Sequence, residues 1–405
     1  MNDKNRKIAL VYDKLDVFGG GERVLEQMLN LYPQSDVCVA IDIMKAQDRH
    51  FLRGKIPITT FAQRLPLVRH RHRQFLLLLM FAIEQLDLSK YELVLSGSAS
   101  IAKGVITGPD QLHISYVHSP MRYAWDMQHQ YLDEANLSRG VKGMIARWML
   151  YRARMWDLRT ANGVDHYIAN SHFIARRIWK VYRREATVIY PPVDVDRFTL
   201  RTNKDDFYLT ASRMVPYKKM AAIVAAFADL PGRRLVVVGD GPEMKRIKAI
   251  AGANVEILGY QPSTVLADLM QRARAFLFAA EEDFGITPVE AQACGTPVIA
   301  FGRGGALETI RGLDRERPSG LFFDSQEPES IADAVREFER RQDSILPLAC
   351  WENAQRFSAR HFRETYAGFV ERCWEVFRSP AAGFAHSERH RVLQEATRGT
   401  PTVAA

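Results

Sequence analysis

Short apolar runs separated by helical stripes set the pattern of the first half of the chain. Ile8–Tyr12 is an apolar run of strand length, and Leu25, Met28, Leu29 and Tyr32 then recur at helical spacing. Further strand-like runs follow, each separated from the next by a helical stretch: Val37–Ile41, Leu93–Ser96, His113–Val117, Tyr167–Ala169 and Val188–Tyr190. Strands that alternate with helices predict an α/β fold with a doubly wound parallel sheet.

The same alternation starts again after a proline-containing segment. Tyr190–Phe198 holds two adjacent prolines, which fix an extended linker. A strand at Phe207–Ala211 and a helix at Ala221–Ala228 are predicted next, and later strands are predicted at Leu235–Val238, Asn254–Gly259, Ala275–Ala280 and Thr296–Phe301. A chain of 405 residues is long enough for two such domains of roughly 150–200 residues each.

The end of the chain changes character twice. Ala349–Phe377 is rich in aromatic residues with helical spacing, which suits a helical stretch that packs across both domains. After Pro380 the composition becomes polar and small, so Glu388–Ala405 is predicted to be a loose tail.

Acidic residues follow one apolar run of the second half, and glycines follow another. Ala275–Ala280 leads into Glu281, Glu282 and Asp283, whereas Thr296–Phe301 leads into the turn Gly302–Gly305. Parallel strands bring their carboxyl ends to one edge of the sheet, which is where open α/β sheets bind ligands. Carboxylates accept hydrogen bonds from hydroxyl groups, so Glu282 and Glu290 suit a sugar and a ribose. Pro288 suits the first turn of a helix between them, whose N-terminus attracts a phosphate.

Cations, glycines and a histidine follow other predicted strands. Arg213 and Lys218 lie in one loop and are expected to bind the same anion, a diphosphate. The turn Gly19–Gly21 brings backbone N–H groups towards an anion, although it lacks the G-x-G-x-x-G spacing and an ordinary tight turn stays open as an alternative. His118 follows a strand directly, so it is expected to face a ligand rather than serve structure alone.

Charge and composition indicate the class of partner and the compartment of the protein. The net charge of +8 and the pI near 9.3 indicate an anionic partner. A basic cluster abuts a strongly apolar one in Arg64–Phe81, which predicts a helix on an anionic membrane surface; core packing with a solvated rim is the alternative. Four cysteines without metal-ligand spacing indicate buried thiols of a reducing compartment, and no leader or membrane-spanning run is evident. No nucleic-acid recognition motif accompanies the basic residues.

The segment Glu282–Glu290 resembles the E-x7-E motif of the retaining glycosyltransferases of family 4, which have the GT-B fold. Phe284 and Gly285 occupy the positions expected for that family, and Ala291–Ile299 continues its pattern. The resemblance implies two Rossmann-like domains facing a cleft, with C-terminal helices that cross back to the first domain. The expected ranges are 1–195 for an acceptor-side domain, 196–363 for a nucleotide-sugar domain, 364–380 for the returning helix and 381–405 for the tail.

The resemblance also assigns roles to residues. The expected catalytic residues are His118, Glu282, Arg213 and Lys218. The residues expected to bind the nucleotide sugar are Gly19, Gly20, Arg213, Lys218, Gly259, Tyr260, Gln261, Glu282, Phe284, Gly285, Ile286, Thr287 and Glu290. Arg122, Tyr123, Trp125 and Asp126 are expected on the acceptor side, because the H-x-P-x-R-Y-x-W-D run resembles a bacterial subgroup that builds exopolysaccharide and O-antigen chains. No cofactor or metal is expected, because no Asp-x-Asp triplet follows a predicted strand, as metal-dependent transferases require. Asp194-Val-Asp196 is formally such a triplet, but it lies in the linker.

These expectations combine into one function. The chain is expected to be a retaining hexosyltransferase that moves mannose from GDP-mannose to a lipid-linked glycan in surface polysaccharide synthesis. It is expected to be cytoplasmic and peripheral on the inner face of the bacterial cytoplasmic membrane. Two other classes stay open: a GT-B sugar-nucleotide epimerase, which would turn over the donor alone, and a non-catalytic nucleotide-sugar-binding module.

Overall fold

The computed structural model describes residues 6–379, apart from the side chains of His70, His72 and Arg73. The described chain divides into two compact units. The first unit holds the chain up to Asn170, Ile174–Ile189 and the segment from Phe362 onward, and the second holds Ser171–Phe173 and Tyr190–His361. Within residues 6–379 no helix is both long and apolar enough to cross a bilayer.

A parallel sheet forms the centre of the first unit. Its strands within the described residues are β1 (Ile8–Tyr12), β2 (Asp36–Val39), β3 (Ile58–Thr59), β4 (Leu93–Ser98), β5 (Leu112–Val117), β6 (His166–Ala169) and β7 (Ala186–Val188). They stand in the order β3-β2-β1-β4-β5-β6-β7. Every residue of β1, β4 and β5 is buried, as expected for central strands that are covered on both faces.

Helices connect these strands. They are α1 (Gly20–Leu31), α2 (Pro66–Arg71), α3 (Leu76–Glu84), α4 (Gln128–Glu134), α5 (Gly140–Thr160) and α6 (His172–Tyr182). Helix α1 buries Val24, Leu25, Met28 and Leu29 against one face of the sheet, as the helical stripe predicts. Helix α3 buries Leu79, Met80, Ala82 and Ile83 in the core on the other face.

The second unit repeats the architecture. Its strands are β8 (Tyr208–Ala211), β9 (Leu235–Val238), β10 (Val255–Gly259), β11 (Ala275–Phe278), β12 (Val298–Phe301) and β13 (Gly320–Phe323), in the order β10-β9-β8-β11-β12-β13. All of their pairings are parallel. Its helices are α7 (Met220–Ala226), α8 (Met244–Ile250), α9 (Ser263–Arg272), α10 (Ile286–Ala293), α11 (Ala306–Thr309), α12 (Pro328–Arg341) and α13 (Pro347–Gln355).

The last described helix, α14 (Ala359–Arg378), returns to the first unit. Phe362, Tyr366 and Phe369 join the core formed by β1, β4 and β5. At the edge of that core, Arg6 and Glu371 form an ion pair of 2.8 Å. This helix confirms the expected return of the C-terminal segment to the first domain.

The strand order reverses once in each sheet. In the first sheet this happens between β1 and β4, and in the second between β8 and β11. At such a switch point the loops after the two strands diverge and leave a crevice beyond their carboxyl ends. The loops there include Gly19–Gly21 in the first unit, and Arg213–Lys218 together with Glu281–Asp283 in the second.

The structure differs from the sequence expectation in a few elements. Strands β3 and β13 were not predicted, and β7 ends at Val188, where the predicted strand begins. The predicted C-terminal helical stretch is two helices, α13 and α14, separated by a break before Ala359. The predicted tail Glu388–Ala405 lies outside the described residues.

Candidate functional site

The acidic loop after β11 and the glycine turn after β12 lie against each other. Strands β11 and β12 pair in parallel, so their carboxyl ends are adjacent, as predicted. The N–H of Gly305 donates to the carbonyl of Glu282 at 2.8 Å. At Gly304, where φ is +65°, a Cβ would lie 2.5 Å from the same carbonyl oxygen. Glycine is therefore required there for the turn to support the backbone of Glu282.

Glu282 forms an ion pair with Lys218 across the switch point of the second sheet. The two side chains are mostly buried, with exposed fractions of 20% for Glu282 and 17% for Lys218. The sequence predicts Glu282 as a sugar ligand and Lys218 as a phosphate ligand, and the structure brings the two together. An ammonium and a carboxylate held side by side can serve the anionic and the hydroxylated parts of one ligand.

The Arg213 loop is held by the turn after β9. The N–H of Met214 donates to the carbonyl of Asp240 at 2.8 Å. Gly239 has φ of +135°, and a Cβ at this position would collide with the carbonyl of Ser212. The backbone on both sides of Arg213 is thus fixed, while the Arg213 side chain is exposed. Such a loop presents a guanidinium to an anion without moving its backbone.

The strand end at Gly259 offers an open aromatic ring. Gly259 accepts a hydrogen bond of 2.8 Å from the N–H of Gly239, which ties this strand end to the neighbouring turn. Tyr260 is 78% exposed, so its ring is available for stacking. Gln261 donates from Nε2 to the carbonyl of Leu258 at 2.8 Å, which leaves its Oε1 as an acceptor.

Helix α10 presents its N-terminus directly after the acidic loop. It begins at Ile286 after Gly285, and Thr287 lies in its first turn, where backbone N–H groups have no partner within the helix. Glu290 is half-buried one turn further on. Phe284, by contrast, is buried against the rings of Tyr190 and Phe357, at centroid distances of 5.8 and 5.3 Å. Its side chain belongs to the core, so only its backbone is available to a ligand.

His118 follows β5 in the first unit with its backbone fixed. The N–H of His118 donates to the carbonyl of Ser98 at 2.8 Å, and the carbonyl of His118 accepts a hydrogen bond of 2.9 Å from the side-chain amide of Asn170. The buried Nε2 atom makes no hydrogen bond within the described residues. A Cβ at Gly97 would lie 3.7 Å from Nε2, which places the imidazole at the switch point of the first sheet. Burial lowers the pKa of His118 from 6.5 to about 4, so the ring is neutral near pH 7.

The glycine turn beside His118 is braced by side chains that the sequence did not single out. The carboxylate of Glu22 accepts a hydrogen bond of 3.0 Å from the N–H of Gly19, just before Gly20 begins α1. Burial raises the pKa of Glu22, and a hydrogen bond with Tyr12 acts in the opposite direction. Tyr12 lies at the end of β1, in edge-to-face contact with His118 at a centroid distance of 6.1 Å. The sequence signal for this contact was a tyrosine at the last position of a predicted strand.

Asp13, the residue after β1, organises the opposite side of the same switch point. Its carboxylate accepts hydrogen bonds from the N–H groups of Ala99, Ile101 and Ala102, at 2.6, 2.7 and 2.6 Å. Burial raises its pKa, while these N–H groups lower it. Asp13 thus fixes the loop after β4, and the sequence signal was an acid directly after a buried strand.

Tyr123, Trp125 and Asp126, which were expected on the acceptor side, contact other parts of the first unit. Tyr123 and Ser100 share a hydrogen bond of 2.6 Å, and Asp126 accepts one of 2.6 Å from Arg177. Trp125 donates from its indole to Asp157 at 2.7 Å. These contacts fix the loop after β5, to which Arg122 also belongs.

Asp157 is the centre of a buried polar cluster beneath that loop. It forms an ion pair of 2.7 Å with Lys103, and the exposed fractions of the two side chains are 0% and 2%. The hydroxyl of Tyr182 donates to Asp157 at 3.0 Å, and Lys103 donates to the hydroxyl of Thr160 at 3.0 Å. Both charges are therefore paired and hydrogen-bonded, as a buried ion pair requires.

Two family models match consecutive parts of the chain. The model described as Glycosyltransferase Family 4 matches residues 18–197. The model described as Glycosyl transferases group 1 matches residues 194–357. The two matches meet in the linker that the prolines predict, so together they run through both units from residue 18 to residue 357.

Curated relatives carry glycosyltransferase names. A D-inositol 3-phosphate glycosyltransferase of Mycobacteroides abscessus is 27% identical over 249 residues, which are 55% of this chain and 55% of the relative. A GDP-mannose-dependent alpha-(1-6)-phosphatidylinositol monomannoside mannosyltransferase of Mycobacterium tuberculosis is 27% identical over 242 residues, which are 51% of this chain and 62% of the relative. The matches thus span 55% and 62% of the length of these two relatives.

Solved structures of similar fold cover nearly the whole chain. Alr3699/HepE of Anabaena in complex with UDP superposes with a TM-score of 0.65 at 17% identity, over 90% of this chain and 99% of that one. Sucrose-phosphate synthase of Thermosynechococcus elongatus gives a TM-score of 0.68 at 18% identity, over 92% and 100%. At these identities the likeness shows the fold. With two parallel sheets of Rossmann type and family models that match both units, the chain belongs to glycosyltransferase family 4 and has the GT-B fold.

Proposed function

We propose that the protein is a retaining glycosyltransferase that transfers a hexose from a nucleotide diphosphate sugar to a lipid-linked glycan. The observation that carries the proposal is the pair Lys218–Glu282 at the switch point of the second sheet. Arg213 lies in the same loop as Lys218, and the N-terminus of α10 follows the Glu282 loop. Cationic, carboxylate and helix N-terminal groups in one place match the three parts of such a donor.

The cations act on the leaving group. Cleavage of the sugar–phosphate bond leaves a nucleoside diphosphate whose negative charge grows in the transition state. Arg213 binds it through two parallel hydrogen bonds, and Lys218 supplies a point charge. Lys218 is paired with Glu282, so we propose that contacts to phosphate replace part of that pair when the donor binds. The N-terminus of α10 adds oriented N–H groups without any loss of its own hydrogen bonds.

The carboxylates act on the hydroxyl groups. Glu282 accepts from hydroxyls of the donor sugar, and Glu290 accepts from the ribose. Because Glu282 is committed to hydroxyl groups, the proposal has no covalent sugar–enzyme intermediate. The acceptor hydroxyl instead attacks from the face that the diphosphate leaves, and its proton passes to the leaving phosphate. In the first unit, neutral His118, whose Nε2 has no partner within the described residues, is available for a hydrogen bond to a sugar hydroxyl.

GDP-mannose is the donor that we propose first, with mannose as the transferred sugar, because one relative is named as GDP-mannose-dependent. The proposed acceptor is a lipid-linked glycan of surface polysaccharide synthesis, which the enzyme binds at the inner face of the bacterial cytoplasmic membrane. The sequence segment around His118 and the positive net charge of +8 support this choice. HepE, in contrast, was solved with UDP and with UDP-glucose, so UDP-sugars are the competing donors to be compared.

A donor screen tests the proposal. Purified protein is incubated with GDP-mannose, UDP-glucose, UDP-galactose and UDP-N-acetylglucosamine, with and without lipid-linked acceptors, and NMR assigns the configuration of each product. We expect an acceptor-dependent product that keeps the configuration of the donor. An isomeric nucleotide sugar formed from donor alone would identify an epimerase, and donor binding without any product would identify a binding module.

Substitution of His118 separates its role from that of the nucleotide site. We expect His118→Ala to lower the rate of sugar transfer at least about tenfold, because the hydrogen bond between the buried imidazole and the sugar is lost. Binding of the nucleoside diphosphate, measured by calorimetry on the same sample, should stay within about twofold of the unaltered protein. A variant that loses nucleoside diphosphate binding while it keeps transfer would contradict this division of roles.

Removal of divalent metal should leave the rate unchanged. In the proposal Arg213, Lys218 and the N-terminus of α10 balance the charge of the leaving diphosphate, so no metal ion is needed for that task. The measurement is transfer before and after dialysis against EDTA, followed by addition of Mg²⁺ or Mn²⁺. Loss of activity that either ion restores would show that a metal shares the work of these cations.

A further inference from the structure

Helix α5 carries a continuous stripe of apolar side chains on its exposed face. The stripe is formed by side chains that are between 43% and 67% exposed: Val141, Met144, Ile145, Trp148, Tyr151, Met155 and Leu158. At 100° per residue these positions fall within an arc of about 140° along the whole helix. Single exposed apolar residues are common on protein surfaces, but a stripe of this length on one helix is not.

The stripe is not the face by which α5 packs on its own unit. That face carries Gly143, Ala153, Asp157 and Thr160, all of them buried. On this side Trp156 donates from its indole to Glu84 of α3 at 2.7 Å. Leu150 and Trp156 also pack against the core, so α5 is attached to the unit by this face, and the apolar residues of the stripe remain outside.

The charges on α5 are almost all positive. The helix contains the cations Lys142, Arg147, Arg152, Arg154 and Arg159. Its one acid, Asp157, is buried in the ion pair with Lys103 and adds no negative charge to the surface. Arg152 and Lys142 are exposed, Arg152 within the arc of the apolar stripe and Lys142 beside it. The exposed face therefore combines apolar bulk with cations and offers nothing to a basic partner.

We propose that the exposed face of α5 docks on the surface of a lipid bilayer that contains anionic lipids. The apolar stripe enters the boundary between headgroups and acyl chains, and Lys142 and Arg152 contact the phosphates. Tryptophan, tyrosine and arginine suit this depth, because each joins an apolar body to a polar end. The choice of an anionic bilayer over a protein partner rests on the exposed cations Lys142 and Arg152 beside the apolar stripe and on the absence of an exposed acid on α5.

This surface differs from the one that the sequence predicts. In Arg64–Phe81, α3 buries Leu79 and Met80 in the core, and the side chain of Arg73 lies outside the described residues. Of the apolar end of α3, Phe81 is exposed, at 55%. Helix α5 packs beside α3 and presents the larger apolar face. The proposal deepens the proposed function, on which it rests for the lipid-linked acceptor, by naming the part of the chain that meets the membrane.

Vesicle flotation with matched tryptophan variants tests the proposal. The full chain is mixed with vesicles of phosphatidylcholine and phosphatidylglycerol, or of phosphatidylcholine alone. Trp148→Glu places a charge in the stripe, and Trp179→Glu is the control at a tryptophan of α6 that is similarly exposed, 51% against 58%. We expect the unaltered chain and the control to float with the anionic vesicles, and Trp148→Glu to bind at least about tenfold more weakly.

A second variant protects the test against misfolding. Trp148→Phe keeps an aromatic side chain in the stripe, so it should float like the unaltered chain. Brominated lipids quench tryptophan fluorescence at short range. They should quench the fluorescence of Trp148→Phe less than that of the unaltered chain. Equal quenching of the two proteins, or equal flotation of Trp148→Glu and the control, would overturn the proposal. A dimer in the absence of lipid that Trp148→Glu converts to a monomer would also overturn it, in favour of a second copy of the chain.

The outcomes are separable from those of the donor screen. Flotation and quenching use no nucleotide sugar, and the donor screen can be run with detergent-dispersed acceptors. A protein that binds vesicles through α5 but turns over no donor would contradict the proposed function alone. A protein that transfers sugar but does not bind anionic vesicles would contradict the docking surface alone.

Discussion

We expect Lys218→Ala and Arg213→Ala each to lower kcat at least about a hundredfold, because each removes a charge-assisted contact to the leaving diphosphate. The effect should appear mainly in kcat rather than KM, since the negative charge grows as the bond breaks. Folding should be preserved in Arg213→Ala, because Arg213 is exposed in a loop, and also in Lys218→Ala, because Glu282 is 20% exposed and water can reach its carboxylate. Steady-state kinetics with the donor identified by the screen provides the measurement.

Lys219→Ala is the matched control. Lys219 follows Lys218 directly, carries the same charge and is exposed, but it lies at the start of α7 in a left-handed conformation with φ of +55°. Its loss should change kcat less than about threefold, because an exposed cation away from the leaving group contributes little. Near-normal kcat for both Lys218→Ala and Arg213→Ala would remove the proposed role of these cations. An equal loss in all three variants would indicate a general effect of charge on the loop.

The second large effect concerns stability. We expect Lys103→Met to lower the free energy of unfolding of the first unit by about 3–5 kcal/mol, because Asp157 would remain buried without its counter-charge. The remaining donors to Asp157, Trp125 and Tyr182, are neutral and cannot replace a cation. Urea unfolding followed by circular dichroism measures the difference.

An exposed ion pair of the same unit supplies the comparison. Lys90 pairs with Asp36 at 3.2 Å, and the exposed fractions of the two side chains are 57% and 47%. Lys90→Met should cost less than about 1 kcal/mol, because both charges stay hydrated. If Lys103→Met cost no more than Lys90→Met, the proposed contribution of the buried ion pair to stability would be wrong.

The predicted strands that the structure confirms share a simple physical origin. Ile8–Tyr12 and Leu235–Val238 are buried on both faces, so their sequences are short unbroken apolar runs, as expected for central parallel strands. Strand β3 is two residues long, and β13 begins with a glycine, so neither leaves a pattern. These strands exist because the sheet edge beside them offers hydrogen bonds, which a local sequence cannot show.

The candidate site divides in the same way. The loops after β11 and β12 were predictable as neighbours, because parallel strands bring their carboxyl ends to one edge of the sheet. The contacts of Trp125 were not, because its partner Asp157 lies 32 residues further along the chain. The exposed apolar face of α5 could not be predicted for another reason. Apolar residues at helical spacing predict a buried face equally well, and only the structure shows that this face is exposed.

The return of α14 to the first unit determines the order in which the two units can complete their folding during synthesis. Phe362, Tyr366 and Phe369 complete the core around β1, yet they are among the last residues of the described chain to leave the ribosome. Tyr190–His361 is continuous, so the second unit has all of its strands before the first unit has its last helix. During synthesis the apolar face that α14 later covers is therefore exposed for the time needed to translate about half of the chain. The unit that is translated first is the one that finishes folding last.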